Sequence, residues 1–222
     1  MNAVFPWSDV LPFAWGVLGA AAGWFVRWGS VKLARLEAPD QDGRRLKPGF
    51  KPWQVYGPAA LCGVLFVVFA FHVEGHLLTL ALRSIFVLVL VQVIFFDFEH
   101  RLILDRVMFP AMAVALLVSL FNQPWWAGIA TGLAAGVLFL VLTVVGSALL
   151  KAEALGMGDV KLAAFMGLLL GPLPTIQALF YGVVLAGFVA IGMVIWNRSA
   201  RGTLAYGPYL AAGALIALYL LP

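Results

Sequence analysis

The sequence predicts an all-α integral membrane protein, a polytopic bundle of about eight transmembrane helices with both termini on the non-cytoplasmic side. Three observations carry that expectation. First, 64% of the 222 residues are hydrophobic and only 11% charged, with a mean hydropathy of +1.02, a balance no water-soluble domain of this length tolerates. Second, apolar runs approaching the roughly 20 residues needed to cross a hydrocarbon core recur along the chain, separated by short polar or Gly/Pro-containing breaks. Third, the basic residues are confined to alternate loops.

The spans are expected at about 11–28, 55–71, 77–96, 107–121, 126–150, 160–171, 175–196 and 204–221, the sixth being short. The first has no basic segment ahead of its apolar core and is followed by a basic loop, so it reads as a helix and not as a cleaved signal peptide. If the spans alternate, the loops at about 27–54, 97–106, 151–161 and 197–203 share one side. They hold Arg27, Lys32, Arg35, Arg44, Arg45, Lys47, Lys51, Arg101, Arg106, Lys151, Lys161, Arg198 and Arg201, which is 13 of the 14 Lys and Arg residues. The positive-inside rule puts these loops in the cytoplasm. Arg83, inside the third span near its outer end, is expected to snorkel. The net charge of +4 is thus a topological signal, and no nucleic-acid partner is expected.

Residues 1–222 read as a single membrane-embedded domain whose longest polar stretch is a basic cytoplasmic loop at about 29–54. Its Pro, Gly and mixed charges suit a solvated loop beside lipid headgroups. The single cysteine, Cys62, lies in an apolar run and reads as a small buried filler, which excludes a disulfide framework and a Cys-only zinc site. Gly132, Gly136, Gly182 and Gly187 are expected to allow tight helix packing.

The acidic residues sort by topology. Asp9 and Glu74 fall outside, and Glu37, Asp40 and Asp42 lie in the long basic loop. Asp97, Glu99, Asp105, Glu153 and Asp159 fall at membrane edges. Asp97 ends the run "FVLVLVQVIFF" without a polar spacer, and Asp159, in "ALGMGDVKLAAFMG", leads directly into another apolar run. An ionisable group at that depth is costly unless paired, hydrated or neutralised. Two readings stay open. In the structural one, each aspartate forms a salt bridge with Arg101, Arg106 or Lys161, or Asp159 caps a helix start after Gly158. In the catalytic one, the two carboxyls meet. Two carboxylates within hydrogen-bonding distance do not both ionise easily and share one proton. One then acts as general base on water while the other polarises a carbonyl and protonates the leaving amine. Gly156 and Gly158 would let backbone approach closely and permit strained dihedrals beside the site.

"FFDFEHRLILDRVMFP", "GMGDVKLAAFMG" and "AYGPYLAAGALIALYL" resemble, in order and spacing, three blocks of the type IV prepilin peptidases, which are GxGD intramembrane aspartyl proteases. The resemblance covers roughly residues 77–222. It implies that Asp97 and Asp159 are the catalytic aspartates and that Gly156, Gly158 and Lys161 are motif positions near the substrate; Asp105 and Arg101 read separately as residues standing behind them. It implies a prepilin or pseudopilin substrate, whose short basic leader is cut at the cytoplasmic face of the cell (inner) membrane while its N-terminal hydrophobic helix stays in lipid. No cofactor is expected. Many bacterial members carry paired Cys-x-x-Cys motifs in the first cytoplasmic loop, associated with metal and with N-methylation. Residues 29–54 contain no cysteine, so no metal is expected there and the methyltransferase half is in doubt. The string usual in the family's first helix is also missing. Leu104 stands where proline is common, and a changed local bend is expected there.

Other classes compete. "HVEGH" puts His72 and His76 one turn apart, but Glu74 is misplaced for a zincin. Asp97, Glu99, His100 and Asp159 could hold Mg²⁺ for a membrane transferase acting on a lipid-linked phosphate. A non-enzymatic assembly or transport protein would keep the aspartates for structure alone.

Overall fold

The structure is a computed structural model that describes residues 10–37, 51–73, 76–150, 156–197 and 205–221. Among these residues there are eight α-helices and no strand. They are α1 (Leu11–Glu37), α2 (Pro52–His72), α3 (Leu77–His100), α4 (Asp105–Phe121), α5 (Trp126–Leu150), α6 (Met157–Leu170), α7 (Pro172–Asn197) and α8 (Gly207–Leu220). Four stretches, Pro52–His72, Leu77–His100, Trp126–Ala148 and Pro172–Met193, are long and apolar enough to cross a membrane. Large apolar side chains such as Phe25, Leu78, Phe188 and Ile195 point outward, as a lipid-facing surface requires. Contacts divide the chain into two compact units, residues 1–95 and 96–222.

In the first unit α1 packs on α2 through glycines. A Cβ at Gly23 would lie 2.6 Å from the Pro58 carbonyl oxygen and 2.9 Å from Ala59 Cα, and one at Gly19 would enter the Phe66 side chain. In lipid, where apolar side chains gain little by leaving the solvent, such close backbone approach is a main source of helix association. Cys62 is fully buried in this contact as a free thiol, the filler the sequence suggests. The Trp15 indole N–H donates to Ser84 Oγ at 2.9 Å, and the Ser84 hydroxyl donates to the Leu80 carbonyl at 2.7 Å. Arg83 is buried.

One boundary differs clearly from expectation. α1 continues to Glu37, so the loop expected from 29 begins as helix. The residues after Gly29 are mostly good helix formers, so their charges end the apolar run without ending the helix. Lys32 Nζ sits over the Trp28 ring, 5.3 Å from its centroid, one turn away. α2 then starts at Pro52, whose fixed φ suits the first helical position. Asp9, Asp40, Asp42, Glu74, Lys151, Glu153, Arg198 and Arg201 lie outside the described residues.

The second unit is built around α6, which touches α4, α5, α7 and α8. Leu162, Ala163, Phe165 and Met166 on it are fully buried. With 14 residues α6 is about 21 Å long, less than a hydrocarbon core. It stops at Gly171, whose φ of +73° is a left-handed conformation open to glycine, and Pro172 starts the next helix. α5 meets α6 where Gly132 and Gly167 touch backbone to backbone, and α7 meets α8 at Gly182 and Gly213. The packing role expected of Gly132, Gly136 and Gly182 holds. Gly187 has no neighbour where its Cβ would be.

Candidate active site

Three helix ends of the second unit build the site. α3 delivers Asp97 one turn before its C-terminus, where the helix closes on Arg101. That residue takes a left-handed φ of +52°, and its N–H donates to the Asp97 carbonyl at 2.8 Å. A side chain in that conformation costs about 1–2 kcal/mol, so the surrounding structure holds it there. α6 delivers Asp159 from its first turn. α8 delivers the backbone of Gly207, its first residue. The Phe98 and Tyr209 rings meet edge to face at 5.7 Å and join the end of α3 to the start of α8.

Asp97 and Asp159 are 6% and 8% exposed, so both carboxyls are buried. They converge on Gly207. The point where a Cβ at Gly207 would lie is 2.7 Å from Asp97 Oδ2 and 3.3 Å from Asp159 Oδ1, so these oxygens can be no farther apart than the two distances end to end, about 6 Å. Space for one water molecule between two carboxyls falls within that limit. Buried carboxyls this near each other favour a shared proton over two full charges.

The salt-bridge reading meets a different arrangement. Lys161 Nζ donates to Asp105 Oδ1 at 2.5 Å and Oδ2 at 2.6 Å, a two-pronged ion pair from α6 to the first residue of α4. Asp105 is thereby placed behind α6. Asp159 is not the N-cap of α6. That position is Gly156, and Asp159 is the third helical residue, its side chain reaching back to the Gly156 backbone. A negative group there also meets the positive end of the helix dipole.

Of the two motif glycines only Gly158 is held by close packing. Gly156 has an ordinary extended backbone, φ −78° and ψ 151°, and among the described glycines only Gly171 has a positive φ. The strained dihedrals expected at 156 and 158 are therefore absent. A Cβ at Gly158 would lie 3.0 Å from Ile103 Cβ, so the missing side chain lets the start of α6 press on the buried α3–α4 connection. Leu104 in that connection has φ −70°, close to the value proline imposes, so the expected change of bend does not arise.

Among the described residues no three His, Cys, Asp or Glu side chains gather into a metal-ligating group, so Asp97, Glu99, His100 and Asp159 do not form the cluster considered for Mg²⁺. Gly207 was not singled out in the sequence. The available signal was the Gly-Pro pair opening the last apolar run.

The fold and this site define a class, α-helical membrane proteins in which two buried aspartates from different helices meet. Residues 84–191 match the Type IV leader peptidase family, a stretch that includes both aspartates. It is 33% identical over 137 residues to "Prepilin leader peptidase/N-methyltransferase" of Bacillus subtilis (strain 168), covering 60% of this chain and 53% of that protein. The chain thus spans about half the length of that curated relative. No solved structure matches.

Proposed function

We propose that this chain is a membrane aspartic endopeptidase that removes the short basic leader of prepilins or pseudopilins at the cytoplasmic face of the cell membrane. The observation that carries the proposal is the convergence of the buried Asp97 and Asp159 carboxyls beside Gly207. The family match over residues 84–191 and the name of the Bacillus subtilis relative suggest the substrate class.

The chemistry needs one carboxyl ionised and the other protonated. The ionised carboxylate takes a proton from water as the water oxygen attacks the scissile carbonyl carbon. The protonated carboxyl gives its proton to the carbonyl oxygen, forming a neutral tetrahedral diol. As the C–N bond breaks, the first carboxyl passes its proton to the departing amine, the diol proton returns to the second carboxyl, and the starting state is restored. Burial keeps competing water away and strengthens each hydrogen bond.

In this reading residues 1–222 act as one eight-span peptidase domain with both termini outside. Gly156, Gly158 and Lys161 shape the substrate approach, with Asp105 and Arg101 supporting them. Clustering of 13 of the 14 Lys and Arg residues in alternate connections and the helix ends beside them supports that orientation. The relative's name includes an N-methyltransferase. The cysteine-free 29–54 stretch argues against that second activity here.

Co-expression with a prepilin-type substrate tests the proposal. A shift of the substrate to the processed size is expected with the unaltered chain and not with Asp97→Asn or Asp159→Asn at equal protein levels. Normal processing by both variants would leave the aspartates structural and favour an assembly or transport role.

A further inference from the structure

We propose that Gly207 is a positioning residue of the Asp97/Asp159 site, its missing side chain leaving the space in which the two carboxyls face each other. The inference rests on the peptidase reading and extends it to a third element, α8, outside the 84–191 family match.

A methyl group at 207 would sit 2.7 Å from Asp97 Oδ2 and 3.2 Å from its Cγ, with Asp159 Oδ1 at 3.3 Å. Movement of α8 is restrained. Gly207 and Pro208 are buried, and the first turn is closed by the Tyr209 and Leu210 N–H groups donating to the Tyr206 carbonyl, each at 3.1 Å. α8 is also in backbone contact with α7, where a Cβ at Gly182 would lie 3.0 Å from Leu210 Cα. The group left to move is the Asp97 carboxyl. Carrying Oδ2 from 2.7 Å to ordinary contact at about 3.5 Å shifts it by about 0.8 Å. Misplacement of a reacting group by about 1 Å costs on the order of 100-fold in rate. Gly207 makes no bond to substrate in this scheme and acts only through where Asp97 stands.

The test compares the unaltered chain, Gly207→Ala and Asp97→Asn, all full length in membranes, on leader cleavage of a prepilin-type substrate across pH. Gly207→Ala is expected to lower kcat on the order of 100-fold, to leave KM within roughly twofold, and to displace one limb of the pH profile. A purely structural defect would lower the amount of active protein without moving the limb. A kcat within roughly threefold of the unaltered chain, or a rise in KM alone, overturns the positioning role. Asp97→Asn separates the two levels, since an active Asp97→Asn chain defeats the peptidase reading itself, whereas an inactive one beside a fully active Gly207→Ala defeats only the role of Gly207. If Gly207→Ala fails to accumulate, the double variant Asp97→Ala/Gly207→Ala decides. Recovery of its level shows that the methyl collides with Asp97, and no recovery overturns the inference.

Discussion

Lys161 on α6 holds both carboxylate oxygens of Asp105 on α4, at 2.5 and 2.6 Å, across 56 residues of sequence. Lys161 is two residues beyond Asp159, so the pair fixes the first turn of α6, and with it one of the two buried carboxyls, against the start of α4. Both side chains are partly exposed, 27% and 38%, so its contribution to stability is modest, about 1 kcal/mol or less. Its value lies in position.

A charge exchange tests that. Lys161→Met and Asp105→Asn are each expected to slow leader cleavage by roughly tenfold while lowering thermal stability little. The exchanged pair Lys161→Asp/Asp105→Lys should recover part of the rate. Additive losses in the exchanged pair, measured as cleavage rates in one membrane preparation, would show that the two residues act separately.

Helix packing makes a second expectation. A Cβ at Gly167 would enter the backbone of Thr131 and Gly132 on α5, so Gly167→Ala should lower stability by about 1–3 kcal/mol through overpacking. Gly187 on α7 has open space where its Cβ would be. Gly187→Ala should be neutral or stabilising by up to about 1 kcal/mol through helix propensity. Thermal unfolding in one detergent compares them, and equal effects would contradict the α5–α6 contact.

The helices were legible because their signal is local. Apolar runs bounded by Gly, Pro and charge set seven of the eight close to their observed limits, and the exception, the end of α1, failed because polarity marks where a membrane ends and not where a helix does. Asp97 and Asp159 were legible singly, each as a carboxyl without a polar spacer. Their convergence depends on α3, α6 and α8 meeting, which no local pattern encodes. Lys161 was expected to pair with Asp97 or Asp159, and its observed partner Asp105 was missed for the same reason. The Gly-Pro pair marked Gly207 as the start of a helix, but not its role, because a glycine that clears a carboxyl and one that clears a neighbouring helix look alike in an apolar segment.

Proton sharing sets the pH dependence. One carboxyl must be ionised and the other protonated, so kcat/KM should rise and then fall with pH, the acid limb marking protonation of the base and the alkaline limb loss of the acid's proton. Both limbs belong to the pair. A rate independent of pH over the range in which the protein stays folded would exclude paired carboxyl catalysis.

Chelation separates this chemistry from the Mg²⁺ reading. Cleavage should continue unchanged in excess chelator, as the two carboxyls need no ion to activate water. Loss of activity on chelation, restored by added Mg²⁺, would return Asp97 and Asp159 to a metal-binding role.

The most direct measurement is the cleavage rate of Asp97→Asn, Asp159→Asn and the double variant at equal protein levels. Groups that act as one unit give non-additive losses, so each single change should cost at least about 1000-fold and the double change no more than either alone. Substantial cleavage by either single variant, or losses that multiply in the double, would contradict a shared two-aspartate site.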